Sequence, residues 1–130
     1  MRVGDPEFDR AVGLSIDILR DLARQARRFE DALITYRQLS ERLAADGVVV
    51  PYHQGPLPHI LEYASRREHA EGRGLISALV VQQGLDGRPA MPSGGFFNMA
   101  RRAPFKRSGS NEAIWMTEVQ SVIDECAGDS

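Results

Sequence analysis

The chain has 130 residues, of which 42% are hydrophobic and 26% charged, with a net charge of −2. That length and balance describe one domain with a modest core and are ordinary for a soluble globular protein. No apolar run is long enough to span a bilayer, and Cys126 is the only cysteine, so an internal disulfide is excluded.

Residues 1–7 read as a flexible leader, because Gly4 and Pro6 oppose regular structure. From Phe8 to about residue 30 the spacing predicts a long amphipathic helix. Val12, Ile16, Leu19, Leu22 or Ala23, Ala26 and Phe29 recur every three or four residues. Arg20, Arg24, Arg27 and Arg28 fall toward its end, where cations complement the helix dipole. A second, shorter helix follows in "ITYRQLSERLAADG", with Thr35 and Gln38 at capping-box spacing. Val48 to Val50 read as a short strand ended by Pro51. In "VPYHQGPLPHI", three prolines aim the next helix, and Tyr52, His53 and Gln54 are candidate contacts at its N-terminus.

"GPLPHILEYASRREHAEG" predicts a third helix, with Leu57, Ile60, Leu61 and Ala64 on its buried side and Arg66, Arg67 and His69 near its far end. "LISALVVQQ" has the composition of a strand. A loop rich in Gly and Pro with Arg88 near its tip follows, and "GFFNMARR" returns as a short strand or a helical turn. "SNEAIWMTEVQSVIDEC" closes the pattern as a helix over residues 110–126, capped by Ser110 or Asn111, with Trp115, Val119, Val122 and Cys126 on one face. This order predicts an α+β, winged-helix-like fold. Its elements are a helix-turn-helix plus a β-hairpin within residues 33–104, and long N- and C-terminal helices.

The phrase "ITYRQLSERL", followed by an exposed third helix and strand-loop-strand, resembles the winged-helix half of the DNA alkyltransferases and their alkyltransferase-like relatives. That family has a Pro-Cys-His-Arg motif after its recognition helix. "LISALVVQQ" holds no cysteine at that place, which excludes alkyl transfer. A closer resemblance, over residues 33–125, is to an uncharacterised bacterial winged-helix-like family. It is carried by Thr35-Tyr36 and Leu39, by Gly55-Pro56-Leu57 with Ile60-Leu61, by Ser77 to Val81, by Gly95-Phe96-Phe97 and by Trp115. Similar domains accompany nuclease or DNA-defence genes, so the resemblance implies a role near nucleic acid, in gene regulation or DNA defence.

Catalytic motifs do not appear. His53, His59 and His69 lack metal-ligand spacing, Cys126 has no base at readable distance, and neither G-x-S-x-G nor a P-loop occurs. No cofactor is expected. Charge is unevenly spread: residues 66–107 hold eight basic and three acidic side chains, whereas residues 108–130 hold five acidic and no basic ones. A partner responds to local charge of this kind. The expectation is therefore a cytoplasmic, non-catalytic DNA-binding protein. Arg66, Arg67 and His69 would read the groove, and Arg88 on the wing with Arg101, Arg102, Lys106 and Arg107 would hold phosphates. The alternatives are a protein-interaction module or adaptor, dimerising through its first and last helices, and an enzyme whose site carries no recognisable motif.

Overall fold

The computed structural model describes residues 1–52, 55–85 and 90–128. Among these, five α-helices carry the fold: α1 (Pro6–Gln25), α2 (Tyr36–Ala45), α3 (Leu57–Ala70), α4 (Gly94–Arg101) and α5 (Asn111–Ala127). Two strands of two residues each, β1 (Ile34–Thr35) and β2 (Val80–Val81), pair in parallel, with Ile34 opposite Val80 and Thr35 opposite Val81. α1 begins inside the segment expected to be a flexible leader: Pro6 opens it, at a position where a missing N–H costs nothing. α2 and α5 are capped as their sequences predict. Thr35 and Gln38 form a reciprocal capping box at α2. The Ser110 hydroxyl accepts from the Ala113 N–H at α5.

The winged-helix expectation is overturned. A winged helix needs an antiparallel hairpin after its third helix, and among the described residues the second arm of that hairpin is not formed: residues 94–101 are α4. Phe96, Phe97, Met99 and Ala100 are buried from this segment, a spacing that one face of a helix satisfies and an alternating strand does not. The Gln82 backbone does close the base of the preceding loop, donating to Met91 and accepting from Ala90, but the chain then turns into a helix. Val48 to Val50 form no strand; Val48 and Val50 are buried, Val49 is exposed, and the Ser40 hydroxyl donates to the Val50 carbonyl. The first helix also stops short of residue 30. The Asp31 carboxylate accepts from the backbone N–H groups of Arg27 and Arg28, and residues Phe29–Ala32 form a separate 3-10 turn.

The centre of the molecule is the segment 74–81, every residue of which is buried. It reads as a strand because it is rich in branched apolar side chains, yet most of it is extended chain and a 3-10 turn (Ile76–Leu79) leading into β2. α3, α5 and α1 all pack on that turn. A buried segment without regular structure must find partners for its own polar groups. Here the partners are side chains. Gly74 N–H donates to Glu125 Oε1 at 2.8 Å, and Leu75 N–H donates to Glu118 Oε1 at 2.9 Å. Ser77 N–H donates to Ser65 Oγ at 3.1 Å, and Trp115 Nε1 donates to the Ala78 carbonyl at 3.1 Å. Three side chains of α5 thus grip the thread directly. Gly74 suits this approach: a Cβ there would lie 3.2 Å from Ser121 Cβ.

The apolar core surrounds this thread. Leu39, Leu43, Leu57, Ile60, Leu75 and Leu79 are fully buried, each stabilising the fold by about 1.5–3 kcal/mol. Trp115 is half-buried and meets Phe29 edge to face, with ring centroids 5.3 Å apart. Among the described residues no helix is long and apolar enough to cross a membrane.

Glu118→Ala should cost about 3–5 kcal/mol, because it strands the Leu75 N–H and the Arg107 guanidinium that shares the carboxylate. Glu41→Ala, which breaks only the exposed pair with Arg37, should stay within about 0.5 kcal/mol. Urea unfolding measures both; a cost below about 1 kcal/mol for Glu118→Ala contradicts its role. Glu125 adds a pH signature. Burial pushes its carboxyl above the ordinary value of 4.5, the Gly74 N–H pulls it down, neighbouring Glu68 pushes it up, and Arg20 and Arg73 pull it down. The folded state therefore holds this proton more tightly than the unfolded chain. The group's contribution is fully present below the unfolded pKa and is lost as pH rises through the raised folded one. Glu125→Gln keeps an acceptor for Gly74 and removes that loss. The variant's stability relative to wild type should rise as pH climbs from about 4 toward neutrality; a difference that does not change with pH overturns the assignment.

Candidate functional site

The basic residues picked out by sequence do not act as one set. α3 exposes Arg66 and Arg67 as consecutive residues, and consecutive helical positions point about 100° apart. Arg67 turns toward α1, where it lines a shallow depression with Gly13, Asp17, Glu68 and Glu71. Arg66 turns the other way. Its guanidinium meets Glu62 Oε2 at 3.1 Å and lies 5.9 Å from the centroid of the Phe105 ring.

Phe105 is the anchor of the segment that joins α4 to α5. It is buried, and its ring meets His69 edge to face at 5.0 Å. The chain on either side wraps the end of α4: Lys106 N–H donates to the Arg102 carbonyl, and Arg107 N–H donates to the Ala100 carbonyl. Lys106 adopts a φ of 52°, in the left-handed region that costs a side-chain-bearing residue roughly 1–2 kcal/mol. The consequence is geometric. Phe105 and Arg107 are drawn inward, and Lys106 between them is exposed.

Arg107 is therefore a structural residue. Its Nε lies 3.1 Å from Glu118 Oε2, and its Nη1 donates to the Phe105 carbonyl. Arg101 is equally committed: it donates to Asn111 Oδ1 and to the Gly109 carbonyl, both at 2.7 Å, tying α4 to the start of α5. Arg102 reaches Glu62 Oε1 at 3.5 Å, across from Arg66 on the same carboxylate. His69 is half-buried against Phe105. Arg88, with His53 and Gln54, lies outside the described residues.

The structure thus brings three of the predicted residues to one exposed patch: Arg66 from α3, Arg102 from the end of α4, and Lys106 from the loop. Arg66 and Arg102 share the single carboxylate of Glu62, and exposed Lys106 is tied to Arg102 through its backbone N–H; the three cations exceed that carboxylate by a formal charge of two. Residues 94–110, which supply Arg102 and Lys106, hold four basic side chains and no acidic one. The Glu62 pairs are partly exposed, and such pairs are worth only about 0–1 kcal/mol. Both arginines can therefore exchange Glu62 for an external anion at small cost.

Beside the patch, a cleft of about 430 Å³ opens between α3 and α4. Glu62 and Arg102 belong to both features. Tyr36 fixes the wall nearest the start of α4: its hydroxyl donates to Ser93 Oγ at 3.1 Å and accepts from the Ser93 N–H at 3.2 Å.

Sequence reasoning missed Glu62, Glu118 and Glu125. The latter two sit in the acidic C-terminal stretch, on the helix predicted over residues 110–126. A signal was present, since Glu118 falls three residues after Trp115 and four before Val122, on the face predicted to be apolar. Among the described residues no group of three His, Cys, Asp or Glu side chains converges as a metal site requires. Comparison with protein-family models, with curated proteins and with solved structures finds no match to this chain.

Proposed function

We propose that the protein binds DNA without catalysis, through phosphate contacts made by Arg66, Arg102 and Lys106. The observation that carries this reading is that Arg66 and Arg102, from separate segments, share the one carboxylate of Glu62, with exposed Lys106 bonded through its backbone to Arg102. Guanidinium groups suit phosphate because their fork of donors matches its oxygens. The left-handed backbone at Lys106 supports the reading too, since it presents the one lysine of the chain to solvent.

Phosphate contacts supply affinity without sequence preference and make it depend on salt. Three contacts predict a slope of about −2.7 in log K against log salt on duplex DNA, hence a roughly 40-fold loss of affinity between 50 and 200 mM salt. Arg66→Ala, Arg102→Ala and Lys106→Ala should each make that slope shallower by about one. Arg67→Ala, which removes a cation on the α1 side, should leave it unchanged. Fluorescence anisotropy on labelled DNA at several salt concentrations reads all four. If wild-type protein is not retained on DNA at low salt, the proposal fails, and the adaptor alternative becomes the reading to pursue.

A further inference from the structure

The patch borders the α3–α4 cleft, and the two share side chains. Resting on the phosphate-binding reading above, we propose that this cleft accepts one unpaired nucleobase of a single strand whose backbone lies on Arg66, Arg102 and Lys106.

Size is the first argument. At about 430 Å³ the cleft falls within the ~300–1,000 Å³ of small-molecule sites. Its chemistry is the second. Leu61, Phe96 and Met99 line it as buried apolar groups, suited to the flat faces of a heterocycle. His59, Glu62 and Asn98 line it as polar groups, suited to the donors and acceptors on a base edge. Connection is the third. Arg102 lines the cleft and also belongs to the patch, so a phosphate held there places its own nucleotide at the opening. A paired base is buried in the stack of a duplex, and a concave cleft between helices reaches only a base that has left it. The site therefore favours single strands over duplexes of the same sequence.

Gly95 provides the test. It lines the cleft, and a Cβ built on it would meet only Ser93 Oγ, at an ordinary 3.6 Å, so a larger side chain there fits the backbone and occupies cleft space. Gly94, whose Cβ would have nothing within 4 Å, is the control. Anisotropy would be measured at one salt concentration on three labelled probes: a mixed-sequence single strand, its duplex, and a single strand in which every base is replaced by an abasic unit. Wild-type protein should bind the base-bearing strand at least about fivefold more tightly than the abasic one, given about 1–3 kcal/mol per held base. Gly95→Leu should bind the base-bearing strand no better than the abasic one while keeping wild-type affinity for duplex. Gly94→Leu should match wild type. The comparison of probes on wild-type protein needs no variant, so it stands even if Gly95→Leu does not fold. Equal wild-type binding to base-bearing and abasic strands, or a preference retained in folded Gly95→Leu, overturns the cleft and leaves the patch standing. No binding to any probe overturns both.

Discussion

The fold depends on two carboxylates of α5 that accept backbone N–H groups from a buried, irregular thread. Glu118 holds Leu75 and Glu125 holds Gly74. Residues 74–81 run through the middle of the molecule, where water cannot satisfy their backbone. An unmade hydrogen bond there would cost about 1–3 kcal/mol, as much as burying a leucine contributes. Apolar packing alone thus cannot hold this segment in place; α5 must supply acceptors. Cations lie close to both glutamates. Arg107 pairs with Glu118, and the Glu68 carboxylate near Glu125 is flanked by Arg20 and Arg73.

The same carboxylate links core to surface. Glu118 receives Leu75 from the thread and Arg107 from the loop after α4. Arg107 is the residue next to Lys106, so the anchoring of the thread also fixes the loop that presents Lys106. On the other side, Ser65 of α3 bonds the thread at Ser77, which fixes the helix carrying Glu62 and Arg66. The patch is thereby held by rigid elements at both ends, although its own ion pairs are weak and exchangeable. Rigid placement with labile pairing is what a surface needs if an incoming phosphate is to replace Glu62 without reorganising the backbone.

Local signals were legible, and signals that needed a partner were not. The capping box at Thr35, the hydroxyl cap at Ser110, and the apolar stripes of α3 and α5 depend on near neighbours, and each appears in the structure as its spacing predicts. "LISALVVQQ" misleads because a short branched apolar run fits a strand and a buried turn equally well. Its state was decided by Glu118, Glu125 and Trp115, some forty or fifty residues away. "GFFNMARR" fits a short strand or a helical turn by composition, and burial of Phe96, Phe97, Met99 and Ala100 against α3 and the core selects helix. The site was legible as composition only. Sequence picks out the basic residues, but it cannot separate Lys106, presented outward by a left-handed turn, from Arg107, turned inward to a buried glutamate.

Hydrogen exchange at the amides of Gly74 and Leu75 tests the account most directly. Neither lies in a helix or strand, so an ordinary loop would exchange them quickly. Held by Glu125 and Glu118 inside the core, both should exchange only through global unfolding, with the protection of the Leu39 and Ile60 amides in α2 and α3. Leu75 should lose that protection in Glu118→Ala while the α2 amides keep theirs relative to the variant's own stability. Fast exchange of Leu75 in the folded wild-type protein would contradict the account: the thread would then be a loop, and the patch would lack the support assigned to it.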